Sequence, residues 1–210
     1  MSFLTDIFTK PASASFPEEM LDHDASKLDY VVIDCEMTGL KPKQDKLLSI
    51  AAVKISQGRI QSQESFYRVI FQEKQKLRDE TILIHRLNHE QISTGSDQIA
   101  VLKEFSDFCQ NCIPVGHFFD IDLSFLNPVM PLPFLYPHLD TRLLVKTLQP
   151  CPSSIQLNEL CDFYNLPSFE AHNALGDATS TACLFLKILS ELRKKQLVSL
   201  QSLLSLKSRS

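Results

Sequence analysis

Asp34 and Glu36 stand two residues apart at the end of the apolar run Val31-Val32-Ile33, within the stretch VVIDCEMTGL. Three continuous β-branched residues read as a buried strand rather than one face of a helix. Side chains two apart on a strand project to the same side, so the two carboxylates are neighbours and Cys35 faces the other way. Like charges about 4 Å apart repel by ~4 kcal/mol at an effective dielectric of 20. No Lys or Arg lies between them to offset this, so the pair needs hydration or a cation. Hard divalent metals take oxygen ligands of this kind. On this stretch alone, a hydrated acidic turn and a metal site both account for the pair.

Two later stretches carry further groups of the same chemistry. VGHFFDIDLSFL (115–126) offers Asp120 and Asp122, and AHNALGDATSTACLFL (171–186) offers His172 and Asp177. Histidine can take up a proton near neutral pH, which suits a general base. At 100° per residue His172 and Asp177 would point ~140° apart on one helix, so His172 is expected just before the helix, with Asn173 as its N-cap. Asp120 and Asp122 would face ~200° apart on a helix, so only one of them can serve a common site.

The elements that must position these groups follow from periodicity and punctuation. A first strand is expected over 29–35. Leu47 to Ser56 and Arg59 to Val69 read as two strands around Gln57-Gly58, a hairpin signal. Together they predict an antiparallel three-stranded start. Asn88 followed by Gln91 predicts a capping-box helix start. Ile99, Leu102, Phe105 and Phe108 predict one apolar helix face running to about 111. Ile113 to Gly116 reads as a short strand, followed by a helix from Asp120 that stops before Pro128. Four prolines make 128–137 irregular. A strand end or turn near 138–141, a short helix through 148, a helix over 155–164 and a long C-terminal helix from about Asn173 complete the pattern. It predicts an α/β fold, a mixed sheet covered by helices.

The chain of 210 residues, 44% hydrophobic and 22% charged, fits one domain with a sizeable core. Residues 1–28 read as an N-terminal arm, 29–194 as the domain and 195–210 as a tail that continues or follows the last helix. No apolar run approaches the ~20 residues that span a bilayer, and no signal peptide is evident, so a cytoplasmic location is expected and no membrane partner. A net charge of −4 argues against a broad basic surface for long duplexes, but not against a site that grips a few nucleotides. The six cysteines lack a disulfide-framework spacing. Cys109 and Cys112 form one C-x-x-C without a second ligand pair, which favours buried thiols over zinc.

VVIDCEMTGL, VGHFFDIDLSFL and AHNALGDATSTACLFL, in that order, resemble the three exonuclease motifs of the DEDDh (DnaQ-like) 3′–5′ exonuclease family, which includes the proofreading subunit of bacterial DNA polymerase III and free-standing relatives. The resemblance covers roughly residues 29 to 190, and His172, Ala174, Asp177 and Ala178 match every fixed position of the third motif. It implies a ribonuclease H-like fold, with antiparallel strands at the start and shorter parallel strands after them. It also implies that Asp34, Glu36, Asp122 and Asp177 bind two divalent cations, Mg²⁺ or Mn²⁺, and that His172 is the general base. Counting six residues on from Gly116, with Phe125-Leu126 in the family's apolar positions, selects Asp122 over Asp120 in the second motif. Met37, Thr38, His85 and Phe118 fall where the family contacts substrate. Phe118 stands where the family commonly has Asn, and Arg86 replaces a glycine beside His85. The E-M-T-G string is similar to the oligoribonuclease branch, whereas H-N-A-L-G-D-A is similar to DNA-directed members.

The expected function is a two-metal 3′–5′ exonuclease that releases nucleoside 5′-monophosphates from single-stranded 3′ ends, with DNA favoured and a part in proofreading or repair. An RNA-trimming or oligoribonucleotide-degrading enzyme is the alternative within the family. A different class is a tethering subunit bound to a polymerase or its sliding clamp: QSLLSL (201–206) resembles the Q-x-x-L-x-L/F peptides that bind bacterial clamps.

Overall fold

The computed structural model describes residues 18–73, 87–131, 138–148, 152–167, 169 and 173–207. His85 and His172 lie outside the described residues. A five-stranded mixed sheet holds the site, with strands β1 (Tyr30–Met37), β2 (Leu47–Ser56), β3 (Arg59–Val69), β4 (Ile113–Gly116) and β5 (Leu139–Asp140) in the order β3-β2-β1-β4-β5. The first three are antiparallel, and β4 and β5 add on in parallel. This is the expected α/β arrangement. Gln57 and Gly58 both take positive φ, 50° and 70°, the backbone of a tight hairpin turn that matches strand twist. β1 runs two residues beyond its expected end, because Glu36 still pairs with Ser49 of β2 and, after a register shift, Met37 pairs with Leu47.

The helices are α1 (Glu18–Leu21), α2 (His89–Ser93), α3 (Gln98–Phe108), α4 (Asp120–Leu126), α5 (Thr141–Val145), α6 (Leu157–Phe163), α7 (Ala174–Lys194) and α8 (Leu200–Lys207). The capping box at α2 is formed: Asn88 Oδ1 accepts from the Gln91 N–H at 2.8 Å, and Gln91 Oε1 accepts from the Asn88 N–H at 2.9 Å. In α3 the buried face is Val101, Leu102 and Phe105. Ile99, expected on that face, is 78% exposed, because at 100° per residue it lies about 110° round the helix from the centre of the buried set.

Alternation along β1 sorts its side chains into two layers. Val31, Ile33 and Cys35 pack with α3 and α4, while Tyr30 and Val32 pack with α7. Asp34 and Glu36 therefore fall on the α7 side, with Cys35 opposite, as the strand period requires.

Both ends of the chain's described part pack on this core. The Ala25 N–H donates to Val198 O at 2.7 Å, Arg193 pairs with Asp24 at 3.3 Å, and Leu200 and Leu203 are fully buried. The packed unit is thus wider than the expected span of 29–194: residues 18–28 and α8 belong to it. Five cysteines among the described residues are free thiols. No helix among the described residues is long and apolar enough to cross a membrane.

Candidate active site

Three strands and two helix starts converge at the carboxyl end of β1. Asp34 pairs in register with Ala51 of β2, and Ala51 packs against Ala174 and Ala178 of α7. Three alanines at this crossing let the first turn of α7 approach the strand closely. Asn173 caps the helix, accepting from the N–H groups of Leu175 at 3.0 Å and Gly176 at 3.3 Å. Asp177 lies in that first turn, where the helix dipole favours negative charge. Carboxylate oxygens of Asp34, Glu36 and Asp177 lie within 4.8 Å of one another.

Asp122 reaches the same corner from the opposite layer. β4 pairs with β1 only through Val32, so the N–H of Cys35 lies beyond its end. Asp122 Oδ1 accepts that N–H at 2.9 Å. The structure therefore gathers all four acids expected there, three with converging oxygens and Asp122 against the strand backbone. Asp120, the other acid of the second motif, is turned away: its side chain is 67% exposed and pairs with His138 at 3.2 Å and Arg142 at 3.8 Å. It is the first residue of α4 and not its N-cap, which is Phe119.

The electrostatics of the cluster are unfavourable without a counter-charge. Burial first, then the charges of Asp122, Asp177 and Glu36, push the Asp34 carboxyl well above the usual range. Burial, with Asp177 and Asp122, pushes Glu36 up to about 7. Burial also raises Asp122, while hydrogen bonds from its own backbone and from Cys35 pull it back. An oxygen-only set of mutually repelling, half-buried carboxylates fits a hard divalent cation, which would reverse each of these penalties.

Asp34, Glu36 and Asp122 open into a cleft of about 380 Å³, which Met37, Thr38, Leu40, His117, Phe118 and Ile121 also line. Met37, Thr38 and Phe118 thus stand beside the acids. Leu40 is 72% exposed at the rim. A Cβ on Gly39 would meet the Asp45 carboxylate at 2.6 Å, so glycine lets the two approach as they do. Asp45 in turn accepts from the Lys41 N–H at 2.8 Å and from the Thr38 hydroxyl at 3.3 Å, which fixes the loop beside the cleft.

Three participants were not legible as such in the sequence. His117 is clamped, with Nδ1 at 2.8 Å from Thr141 Oγ1 and Nε2 at 2.8 Å from Ile155 O. A carbonyl only accepts, so Nε2 carries the proton and, in the neutral ring, Nδ1 accepts from the threonine hydroxyl. Burial lowers the His117 pKa, which favours that neutral form. Asp140 is buried at the end of β5, caps α5 and pairs with Arg142 at 3.3 Å. The guanidinium of Arg142 sits 4.9 Å from the centre of the Phe118 ring. Only the cap signal of Asp140 before Thr141 could have been read locally.

Residues 31–185 match the RNase_T exonuclease family model. The chain is 31% identical over 193 residues to the PolC-type DNA polymerase III of Thermotoga petrophila, covering 89% of this chain and 14% of that protein. It is 29% identical to the DNA polymerase III subunit epsilon of Aquifex aeolicus, covering 88% of this chain and 89% of that one. The chain therefore spans about one-seventh of the PolC-type relative. Among solved structures, E. coli Exonuclease I in complex with a dT13 oligonucleotide superposes with a TM-score of 0.69 at 14% identity, over 81% of this chain and 43% of that one. A 3′-exonuclease that recognises the histone mRNA stem-loop gives 0.66 at 15% identity, over 79% and 66%. Two motif carboxylates on β1, one at the start of α4 and one in the first turn of α7, on this sheet and with this match, place the chain in the RNase_T exonuclease family.

Proposed function

We propose that this chain is a 3′–5′ exonuclease that hydrolyses the terminal phosphodiester of a single-stranded 3′ end and releases a nucleoside 5′-monophosphate, with DNA as the favoured substrate. The observation that carries the reading is the convergence of Asp34, Glu36 and Asp177 oxygens within 4.8 Å, with Asp34 and Glu36 lining an open cleft. Asp34, Glu36, Asp122 and Asp177 would hold two divalent cations, Mg²⁺ or Mn²⁺. When bound, these ions supply positive charge to the scissile phosphate and its leaving oxygen. His172, one residue before the Asn173 cap of α7, takes the proton from the attacking water. Thr38 and Met37 orient the terminal nucleotide from the end of β1.

A cleft of about 380 Å³ suits a nucleotide or two rather than a duplex, and a net charge of −4 argues against a broad basic surface to hold one. The relatives named as DNA polymerase III proteins favour DNA and a role beside a polymerase. The E-M-T-G string at 36–39 is the feature that favours RNA instead. The tethering reading is disfavoured: Leu203 of the clamp-like peptide is fully buried, and Leu204 and Leu206 pack against the core.

Product ladders from DNA and RNA oligomers of the same sequence, with Mg²⁺ and with excess chelator, test the proposal. Stepwise shortening from the 3′ end that needs the metal is expected, faster on DNA. Trimming that persists in chelator would remove the metal-dependent mechanism, and a faster RNA ladder would reassign the substrate.

A further inference from the structure

Phe118 has a backbone that its residue type does not favour. Its φ is +55°, the left-handed region, where a bulky side chain is an outlier and Asn or Gly is the comfortable choice. Such strain persists only where the surroundings hold it, and it collects at functional sites. Here the surroundings are specific. The Arg142 guanidinium covers the ring at 4.9 Å, and the His117 ring meets it edge-on at 5.0 Å. Arg142 is itself held by Asp140 at 3.3 Å and Asp120 at 3.8 Å, and His117 by Thr141 and Ile155. Neighbouring Phe119 is fully buried in the core and packs where any Cβ on Gly116 would collide with it. Phe119 thus anchors the turn, while Phe118 is left to line the cleft beside Asp34, Glu36 and Asp122.

We infer that Phe118 is a stacking platform for a base of the substrate's 3′ end, fixed in place by Arg142 and His117. The inference rests on the nuclease reading and deepens it. A π-face accepts any base, so the platform gives affinity without sequence preference. It also brings apolar area to a site whose carboxylates would otherwise repel a polyanion. The Arg142 guanidinium, 4.9 Å from the ring centre, adds a cation–π contact that holds the ring in place.

The test uses the full chain and three variants, F118N, F118L and F118Y, on single-stranded oligomers ending either in an ordinary nucleotide or in an abasic one. F118N suits the left-handed backbone, so it should fold with an unchanged or higher Tm while lacking the ring. F118N and F118L should raise KM for the ordinary end by roughly 5–100-fold, the range for losing one stacked base, with little change in kcat. F118Y should behave as the parent, and abasic ends should be cleaved equally by all four proteins. In a parallel measurement with Ca²⁺ in place of Mg²⁺, 2-aminopurine at the 3′ end of an oligothymidylate should be quenched by the parent and F118Y but not by F118N. Normal nucleotide release with unchanged KM and quenching in F118N overturns the platform alone. An equal loss on abasic and ordinary ends also overturns it, because Phe118 would then act through the backbone. No release by the parent protein overturns the nuclease reading and the platform with it.

Discussion

Asp122 Oδ1 accepts a 2.9 Å hydrogen bond from the N–H of Cys35, the residue between Asp34 and Glu36. One carboxylate thereby ties the start of α4 to the backbone of the strand that presents the other acids. The bond forms where β4 is too short to pair with β1, so Asp122 completes a ladder position while facing the cleft. Its loss would leave a buried N–H unsatisfied, at a cost of about 1–3 kcal/mol.

This relationship ranks the two acids of the second motif. Asp122→Asn should lower the nucleotide-release rate by at least about 10–100-fold, as expected for a group that holds or orients a metal site. Asp120→Asn should keep most of the activity, since that side chain is 67% exposed and reaches Arg142 and His138 rather than the cluster. Single-turnover rates on one oligomer decide it, and the reverse ranking would sink the assignment.

Stability against pH should report the carboxylate cluster before any cation binds. Glu36 is pushed up to about 7 from its ordinary 4.5, by burial first and then by Asp177 and Asp122. A raised folded-state pKa means that the folded chain holds the proton more tightly than the unfolded chain does. In chelator, this group therefore leaves stability greatest below about pH 4.5 and lowers it as pH climbs towards about 7, with no further change above. Mg²⁺ should restore the loss at neutral pH, and Glu36→Gln should flatten the slope. Thermal melts across this range check it: a chelated parent whose slope matches that of E36Q would refute the linkage.

His172 is the group whose role rests on sequence order alone. His172→Ala should lower the rate by about 10²–10⁴, the range for a positioned general base. Metal affinity and melting temperature should hold, because the four carboxylates and the Asn173 cap remain. A variant that is slow only because it no longer binds metal, or one that is fully active, would remove His172 from the chemistry.

The C-terminal helix makes a packing prediction. Leu200 and Leu203 of α8 are fully buried in the layer that holds Tyr30, Phe185 and Leu192. Leu203→Ala should cost about 2–5 kcal/mol, as for other buried leucines. Truncation after Lys195 should likewise lower stability by exposing that layer. Denaturant melts measure both, and a truncated chain as stable as the parent would show α8 to be a dispensable appendage.

Much of the site was readable before any fold was known. A period of two put Asp34 and Glu36 on one side of a strand, and the 3.6 period separated Asp120 from Asp122. Asn173 and Asn88 announced their helices by capping chemistry that involves only the next three residues. The Gln57-Gly58 hairpin was set by local backbone preference. All of these are short-range consequences of residue type. The rest depended on partners distant in the chain. That Asp122 bonds the Cys35 backbone, 87 residues away, follows from how far β4 extends along β1. That Ile99 is exposed depends on where α3 meets the sheet, and that α8 is core depends on a face that Tyr30 and Phe185 leave open. Neither the clamp of Arg142 and His117 around Phe118 nor the positive φ beneath it can be read from F-F-D-I-D, because both are fixed by β5, α5 and Ile155 packing against one turn. Local propensity chose the carboxylates and their faces; only the tertiary packing chose which of them meet, because Asp34 and Glu36, Asp122 and Asp177 sit on elements far apart in the chain that the core brings together.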